Sequence, residues 1–312
     1  MTTACAPGKI ILLGEHAVVY GRPALAVPVR QVRACAHVLP SETGDPGWVR
    51  LEAPDLGFSA WLFEAPPDHP LAAVCRETLE ALRPAPFPPI RLSIDSTIPV
   101  ASGLGSSAAV SVAVARALND HFGGPLTTRE VSELAYTGEN ILHGTPSGID
   151  NTVVAFDQPV FFVRGSPPEG LRLRSTFHLV IGDTGISAPT AQAVGQVRRR
   201  WQADPATQEA IFDSIGEIAA QGRQAMIDGD AARLGACMSD NHRLLTGLGV
   251  SSPELDRLVE SARAAGALGA KMSGGGMGGN MVALASPETV EAVSQSLRTA
   301  GAAGVIHTEV AP

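Results

Sequence analysis

The sequence predicts an α+β protein built as two mixed halves, and three observations carry that expectation. Short apolar runs of strand character, such as Lys9-Ile-Ile-Leu-Leu13 and Phe177-His-Leu-Val-Ile-Gly182, recur among segments with helical spacing, such as 70–83 and 253–266. The 312 residues are enough for two medium domains, and a composition shift near 165–176 sets the expected division at 1–170 and 171–312. Finally, 45% hydrophobic and 17% charged residues are the proportions of a folded globular chain, not of a disordered one.

The elements follow in order. Lys9–Leu13 reads as a short buried strand, with Gly14-Glu15-His16 at its end and Ala17–Tyr20 continuing to a Gly21-Arg-Pro23 turn. Residues 24–39 alternate well enough for one or two strands, and 40–70 hold turns and short strands such as Val49-Arg-Leu-Glu52. A helix is expected over 70–83, where Leu71, Val74, Leu79 and Leu82 are apolar, and a strand over Ile90–Ile94. A glycine turn then opens an Ala/Val-rich helix, and Thr127-Thr128 cap another over 129–142. Thr152–Phe156 and Val160–Val163 are strand-like, as is 177–182. Helices are expected over 189–203, 205–228, 230–247 and 253–266. A strand at 281–285, a helix at 287–300 and a strand at 304–310 complete the chain.

Several function classes are excluded early. A formal charge of −8 argues against nucleic acid or an anionic membrane as a partner, and no run is long enough to span a bilayer. The first residues lack a basic segment followed by an apolar core, so no secretory signal is expected and the cytoplasm is the expected location. Cys5, Cys35, Cys75 and Cys237 are scattered without a C-x-x-C pair, which predicts reduced thiols and no zinc site. Of the 23 basic residues only Lys9 and Lys271 are lysines, and both stand beside glycine-rich segments. An ammonium is a compact charge suited to phosphate, with a pKa that its surroundings can tune.

The chemistry centres on Pro99-Val-Ala-Ser-Gly-Leu-Gly-Ser-Ser-Ala-Ala109. A glycine turn feeding a helix leaves the first amides without intrahelical partners, and those amides and the helix dipole attract anions. Small side chains let a phosphate approach the backbone, and two serine hydroxyls can reach a divalent cation. The plainer alternative is an ordinary helix start with Ser106 as N-cap. Gly274, Gly276 and Gly279 satisfy G-x-G-x-x-G, but a strand follows them where a dinucleotide fingerprint needs a helix. No Walker A, H-R-D or D-F-G pattern occurs.

Three blocks, Pro7-Gly-Lys-Ile-Ile-Leu-Leu-Gly-Glu-His16, Pro99–Ala109 and Lys271–Gly279, together resemble the GHMP small-molecule kinases. Gly138-Glu139, Ser147-Gly-Ile-Asp-Asn151, Asp183-Thr184 and Asn241-His242 extend the resemblance over nearly the whole chain. It implies a two-domain fold: an N-terminal domain like the second domain of ribosomal protein S5, and a ferredoxin-like C-terminal domain. It also implies transfer of the γ-phosphate of ATP to the C5 hydroxyl of mevalonate, with Mg²⁺, in isoprenoid synthesis, by a homodimer.

Position by position, the resemblance makes Asp150 the catalytic acid that takes or orients the hydroxyl proton and Lys9 the lysine near the transferred phosphate. Ser107 and Glu139 match the Mg²⁺ ligands, hard oxygens completed by water and phosphate. Ala101, Ser102, Gly103, Leu104, Gly105, Ser106 and Ser107 match the phosphate loop, and Ser96 and Asp55 fall where nucleotide contacts lie. Glu15, His16, Thr190 and Gly275 match residues around the substrate. Taken alone, Asp150 reads as a turn former, His16 as a packed or capping histidine and Glu139 as solvated; Asn241-His242 reads as structural.

The chain departs from the family at Gly275, where alanine is common and whose lack of a side chain would widen the pocket near the substrate methyl. It also departs at Met277, where glycine is common, and at Asn280, where cysteine is frequent. Gly14-Glu-His rather than Gly-Glu-Tyr argues against a phosphomevalonate-directed relative, and a galactokinase-like Gly-Glu-His-x-Asp-Tyr is absent. A ligand-sensing relative without catalysis is the rival of another class; Lys9, Ser107, Glu139 and Asp150 together argue against it.

Overall fold

A computed structural model describes residues 1–99, 103–144, 146–187 and 190–312, the Leu56 side chain excepted. Close contacts divide it into two compact units. The first comprises Met1–Gly8, Val32–Pro99 and Gly105–Asp157; the second comprises Lys9–Gln31, the stretch ending at Leu104, and Gln158–Pro312.

The first stretches of chain are β1 (Thr2–Leu13), a one-turn 3₁₀ segment at Ala17–Tyr20 and β2 (Ala24–Pro40), then β3 (Val49–Ala53) and β4 (Phe58–Trp61). They are followed by α1 (Pro70–Leu82), β5 (Ile90–Ser96), α2 (Ser106–His121), α3 (Thr128–His143) and α4 (Ile149–Phe156). In the first unit β4 pairs antiparallel with β3, β3 parallel with β5, and β5 antiparallel with residues 34–40 of β2. Helix α2 is the centre of this unit. Its Ala/Val face from Ala108 to Leu118 is buried, and α1, α3 and α4 pack on it. Thr127 caps α3 in a full capping box with Glu130, as the two threonines predict.

Two expectations fail in this unit. Thr152–Phe156 belongs to helix α4 rather than to a strand. Six of the eight residues of Ile149–Phe156 are buried, and the short, largely apolar run Thr152–Phe156 carries no period that separates the two states. Gly148, at φ 91°, starts the helix, and the Asn151 amide donates to the Ser132 carbonyl and hydroxyl, both at 2.9 Å, docking α4 on α3. The thiols are the second correction. Cys5 and Cys35 form a disulfide: β1 pairs with β2, and the two Cα atoms stand 4.1 Å apart. Cys75 and Cys237 remain free and buried, and burial pushes the Cys75 thiol up to about 12.

The second unit adds β6 (Val160–Phe162), β7 (Glu169–Gly170), β8 (Phe177–Asp183), α5 (Thr190–Ala203) and α6 (Pro205–Asp228). After these come α7 (Ala231–Gly247), α8 (Pro253–Ala264), β9 (Gly269–Met272), β10 (Asn280–Ala285), α9 (Val290–Thr299) and β11 (Gly304–Val310). Its main sheet is antiparallel in the order β11-β8-β10-β9. Counted along the chain this order is 4-1-3-2, with α9 between the third and fourth strands, the arrangement of ferredoxin-like sheets. Phe212, Leu258, Met272, Met281 and Leu297 meet in one apolar core. Strand β9, unforeseen in the sequence, makes the 273–279 glycine cluster a turn between two antiparallel strands.

Candidate active site

The phosphate-loop motif ends as a helix start should if it is to hold an anion. Gly103 and Gly105 take φ of 81° and 75°, a left-handed backbone that L side chains avoid. Gly105 is the N-cap of α2 and no side chain caps it, so the Ser106 N-cap reading is overturned. Ser106 and Ser107 are therefore the first helical residues, and their amides belong to the set that finds no carbonyl within the helix. No acidic residue sits in that first turn to occupy them. Ala101 and Ser102 lie outside the described residues.

Ser107 donates its hydroxyl hydrogen to Glu139 Oε1 at 2.5 Å. Glu139, expected to be solvated from its place near the end of α3, is buried instead. The cause lies one residue earlier. A Cβ on Gly138 would stand 2.7 Å from Ser111 Oγ, so only glycine lets α3 approach α2 this closely. Hydroxyl and carboxylate thus meet beside the anion-seeking helix end, and this pair of hard oxygens fits Mg²⁺. Asp150 stands in the first turn of α4, in the same unit, half-buried and held in place by its anchored neighbour Asn151. Asp55 and Ser96 also come together, the Ser96 amide donating to Asp55 Oδ2 at 3.3 Å on the surface.

In the second unit the Lys9 amide donates to the Leu104 carbonyl at 2.9 Å, so β1 grips the loop one residue before Gly105. The lysine is buried. Gly14, at φ 97°, allows the sharp turn that follows β1, and a Cβ there would come within 2.5 Å of the Ala24 backbone. Its amide donates to Asn241 Oδ1 at 3.1 Å, which gives the Asn241-His242 pair its structural task. His242 Nδ1 accepts from the Met272 amide at 3.3 Å.

Glu15 forms a wholly buried ion pair with Lys271, a partnership the sequence gives no direct sign of. Lys271 also donates to the Met272 carbonyl. Burial raises the Glu15 pKa above the ordinary value, with the attraction of Lys271 opposing it; burial likewise lowers that of Lys271, with Glu15 opposing. Glu15 Oε2 and Asn241 Nδ2 are buried without a hydrogen-bond partner.

His16 has the left-handed φ of 62°, and its Nε2–H donates to the Gly275 carbonyl at 3.0 Å. Loss of solvent lowers its pKa to about 4, so the ring is neutral at pH 7. Thr190, exposed at the start of α5, lies over Gly275. A Cβ on Gly275 would meet Thr190 atoms at 3.2–3.3 Å, so the space an alanine methyl would take is bordered by Thr190 and is not a free enlargement of a pocket. Glu15, His16, Thr190 and Gly275 are thus linked by contacts through one unit. Met277 takes φ 62°, which explains why glycine suits that position. A Cβ on Gly103 would lie 3.9 Å from Asn280 Nδ2, so Asn280 faces the loop.

Two family descriptions match the sequence: "GHMP kinases N terminal domain" over residues 71–158 and "GHMP kinases C terminal" over 223–303. A mevalonate kinase of Thermococcus sibiricus is 37% identical across 97% of this chain and 94% of its own length. The chain belongs to the GHMP kinases. A second relative in this family, a mevalonate kinase of Pyrococcus furiosus, is 36% identical over 98% of the chain and 95% of its own. Among solved structures, L. major mevalonate kinase in complex with R-mevalonate superposes with a TM-score of 0.83 and 30% identity, covering 100% of this chain and 96% of that one. The two-domain fold of these GHMP kinases is the fold described above. Among the described residues no helix is long and apolar enough to cross a membrane.

Proposed function

We propose that this chain is a mevalonate kinase, transferring the γ-phosphate of ATP to the C5 hydroxyl of mevalonate to give 5-phosphomevalonate and ADP. The observation that carries this reading is the pairing of Ser107 with buried Glu139 at a helix start whose amides are open, in a chain similar along its whole length to mevalonate kinases. The activity belongs to this GHMP kinase as an ATP-dependent phosphotransferase acting on an alcohol.

Each residue has a task that its surroundings support. The amides at the start of α2 and the small residues from Ala101 to Ser107 cradle phosphate oxygens. Ser107 and Glu139 hold Mg²⁺, which when bound neutralises charge on the nucleotide phosphates. Lys9, whose backbone amide holds the Leu104 carbonyl, supplies a compact positive charge for the transferred phosphate. Asp150 takes the proton of the C5 hydroxyl as its oxygen bonds to the γ-phosphorus; the bond from that phosphorus to the β–γ bridging oxygen breaks, and ADP leaves. Glu15, His16, Thr190 and Gly275 border the mevalonate chain, and Ser96 and Asp55 contact the nucleotide. The family's two domains are taken as 1–170 and 171–312, and the working form as a cytoplasmic homodimer.

A coupled ADP-release assay with mevalonate, phosphomevalonate, homoserine and galactose tests the substrate. Turnover is expected with mevalonate, and faster turnover with any of the others would overturn the assignment. Asp150→Asn is expected to abolish turnover while ATP still binds; a near-normal kcat in that variant would remove Asp150 from its role.

A further inference from the structure

The C-terminal sheet carries a cluster that the kinase chemistry does not use. Strand β11 pairs antiparallel with β8, so that Glu309 stands directly opposite His178 and His307 opposite Val180. Residues two apart on a strand share a face, as do directly opposed residues, so His178, His307 and Glu309 project from the same side of the sheet. His178 Nδ1 lies 3.3 Å from His307 Nε2 and 3.6 Å from Glu309 Oε1, and one ligand atom from each residue falls within 4.8 Å of the others. Among the described residues this is the one group of three or more His, Cys, Asp or Glu side chains that meets so closely.

We propose that His178, His307 and Glu309 form a binding site for a divalent transition-metal ion, zinc being the best match. Zinc binds imidazole nitrogen and carboxylate oxygen at about 2.0–2.2 Å in tetrahedral geometry, which places neighbouring ligand atoms about 3.3–3.5 Å apart. The gaps measured from His178 fall at or just beyond that spacing. Without an ion, His178 Nδ1 has a single hydrogen to share between His307 Nε2 and an ion-pair contact to Glu309 Oε1, whereas a bound ion engages all three groups at once. Two imidazoles and a carboxylate suit zinc, copper or nickel, whereas magnesium and calcium favour oxygen alone, so this site is chemically distinct from the Ser107–Glu139 pair. His178 is half-buried while His307 and Glu309 are exposed, so solvent can enter and fill the remaining coordination position.

Such an ion would act as a clasp. β11 is the edge strand of its sheet and lies beside β8 alone, and two of the ligands come from β11 and one from β8. Binding an ion to the folded state alone holds the edge strand in place and raises stability by mass action.

The test uses untagged full-length protein stripped with a chelator, dialysed, and titrated with Zn²⁺ in excess Mg²⁺ against a chromogenic zinc indicator. One equivalent is expected to bind with micromolar or tighter affinity, weakened by about tenfold or more in His178→Gln and in His307→Gln. Zn²⁺ is expected to raise the melting temperature of the wild type and not of the variants, while kinase turnover without zinc stays at the wild-type level in both. Should either variant fail to fold, the wild-type titration and Glu309→Gln decide. Absence of saturable binding to the wild type, or undiminished binding in every folded variant, overturns the site.

Discussion

Replacing Lys271 by methionine probes the least solvated charges of the molecule. The substitution removes an ammonium from a position with no solvent exposure and leaves the Glu15 carboxylate buried, with Oε2 already lacking a partner. Breaking a buried ion pair from one side costs about 3–5 kcal/mol, because the remaining charge loses its compensation while its desolvation persists. Against a typical total of about 5–15 kcal/mol, Lys271→Met should fold but unfold at much lower urea concentration. The loss should also depend on pH in a defined sense. Burial already holds the folded Glu15 above its ordinary value of 4.5, and without Lys271 only a backbone hydrogen bond to its carboxylate and the charge of Lys9 oppose that rise. The folded state then binds a proton more tightly than the unfolded one, so the variant is most stable below 4.5 and weakens as pH climbs through the raised folded value. Urea denaturation of Lys271→Met between pH 4.5 and 8, alongside Glu15→Gln and the double variant, measures this directly. The double variant should recover at least about 1 kcal/mol relative to the sum of the singles. A single variant within about 1 kcal/mol of wild type at pH 7, or strict additivity, would refute the reasoning.

Other expectations follow from neighbouring residues. His16 is held at about 4 against an ordinary 6.5, so its neutral form contributes about 3 kcal/mol that is fully present above 6.5 and lost as pH falls from 6.5 to 4. His16→Gln should flatten the stability curve across that window in chemical denaturation. Gly14→Ala places a methyl against the Ala24 backbone at φ 97° and should cost about 3 kcal/mol or more, read as a fall in melting temperature. Cys5 and Cys35 enclose a separation of 30 residues, so Cys5→Ser should cost about 3–4 kcal/mol under non-reducing conditions. Thiol titration of the denatured wild type should find two reactive groups before reduction and four after it.

What the sequence revealed, and what it hid, divides along the range of the forces involved. The Gly103–Ser107 turn is legible because glycine's conformational freedom and a helix's unpaired amides are local properties, set within a few residues. The same holds for the capping box at Thr127 and for the alternation along β2. By contrast, Ile149–Phe156 carries a signal of burial but none of geometry, and what makes it a helix is docking through Asn151 onto Ser132, outside the segment itself. Glu139 looks solvated for a similar reason, since its burial follows from Gly138 meeting Ser111 across two helices. Lys271 is the sharpest case. Its rarity in an arginine-rich chain marks it as unusual, but its partner lies 256 residues away, and no spacing rule links the two. The isolated Glu15 motif therefore reads as a substrate contact alone, whereas the fold makes it a buried carboxylate held in place by an ammonium from β9. Removing that ammonium should disturb mevalonate binding as well as stability, whereas Cys5→Ser, confined to the β1–β2 staple, should alter stability with KM unchanged.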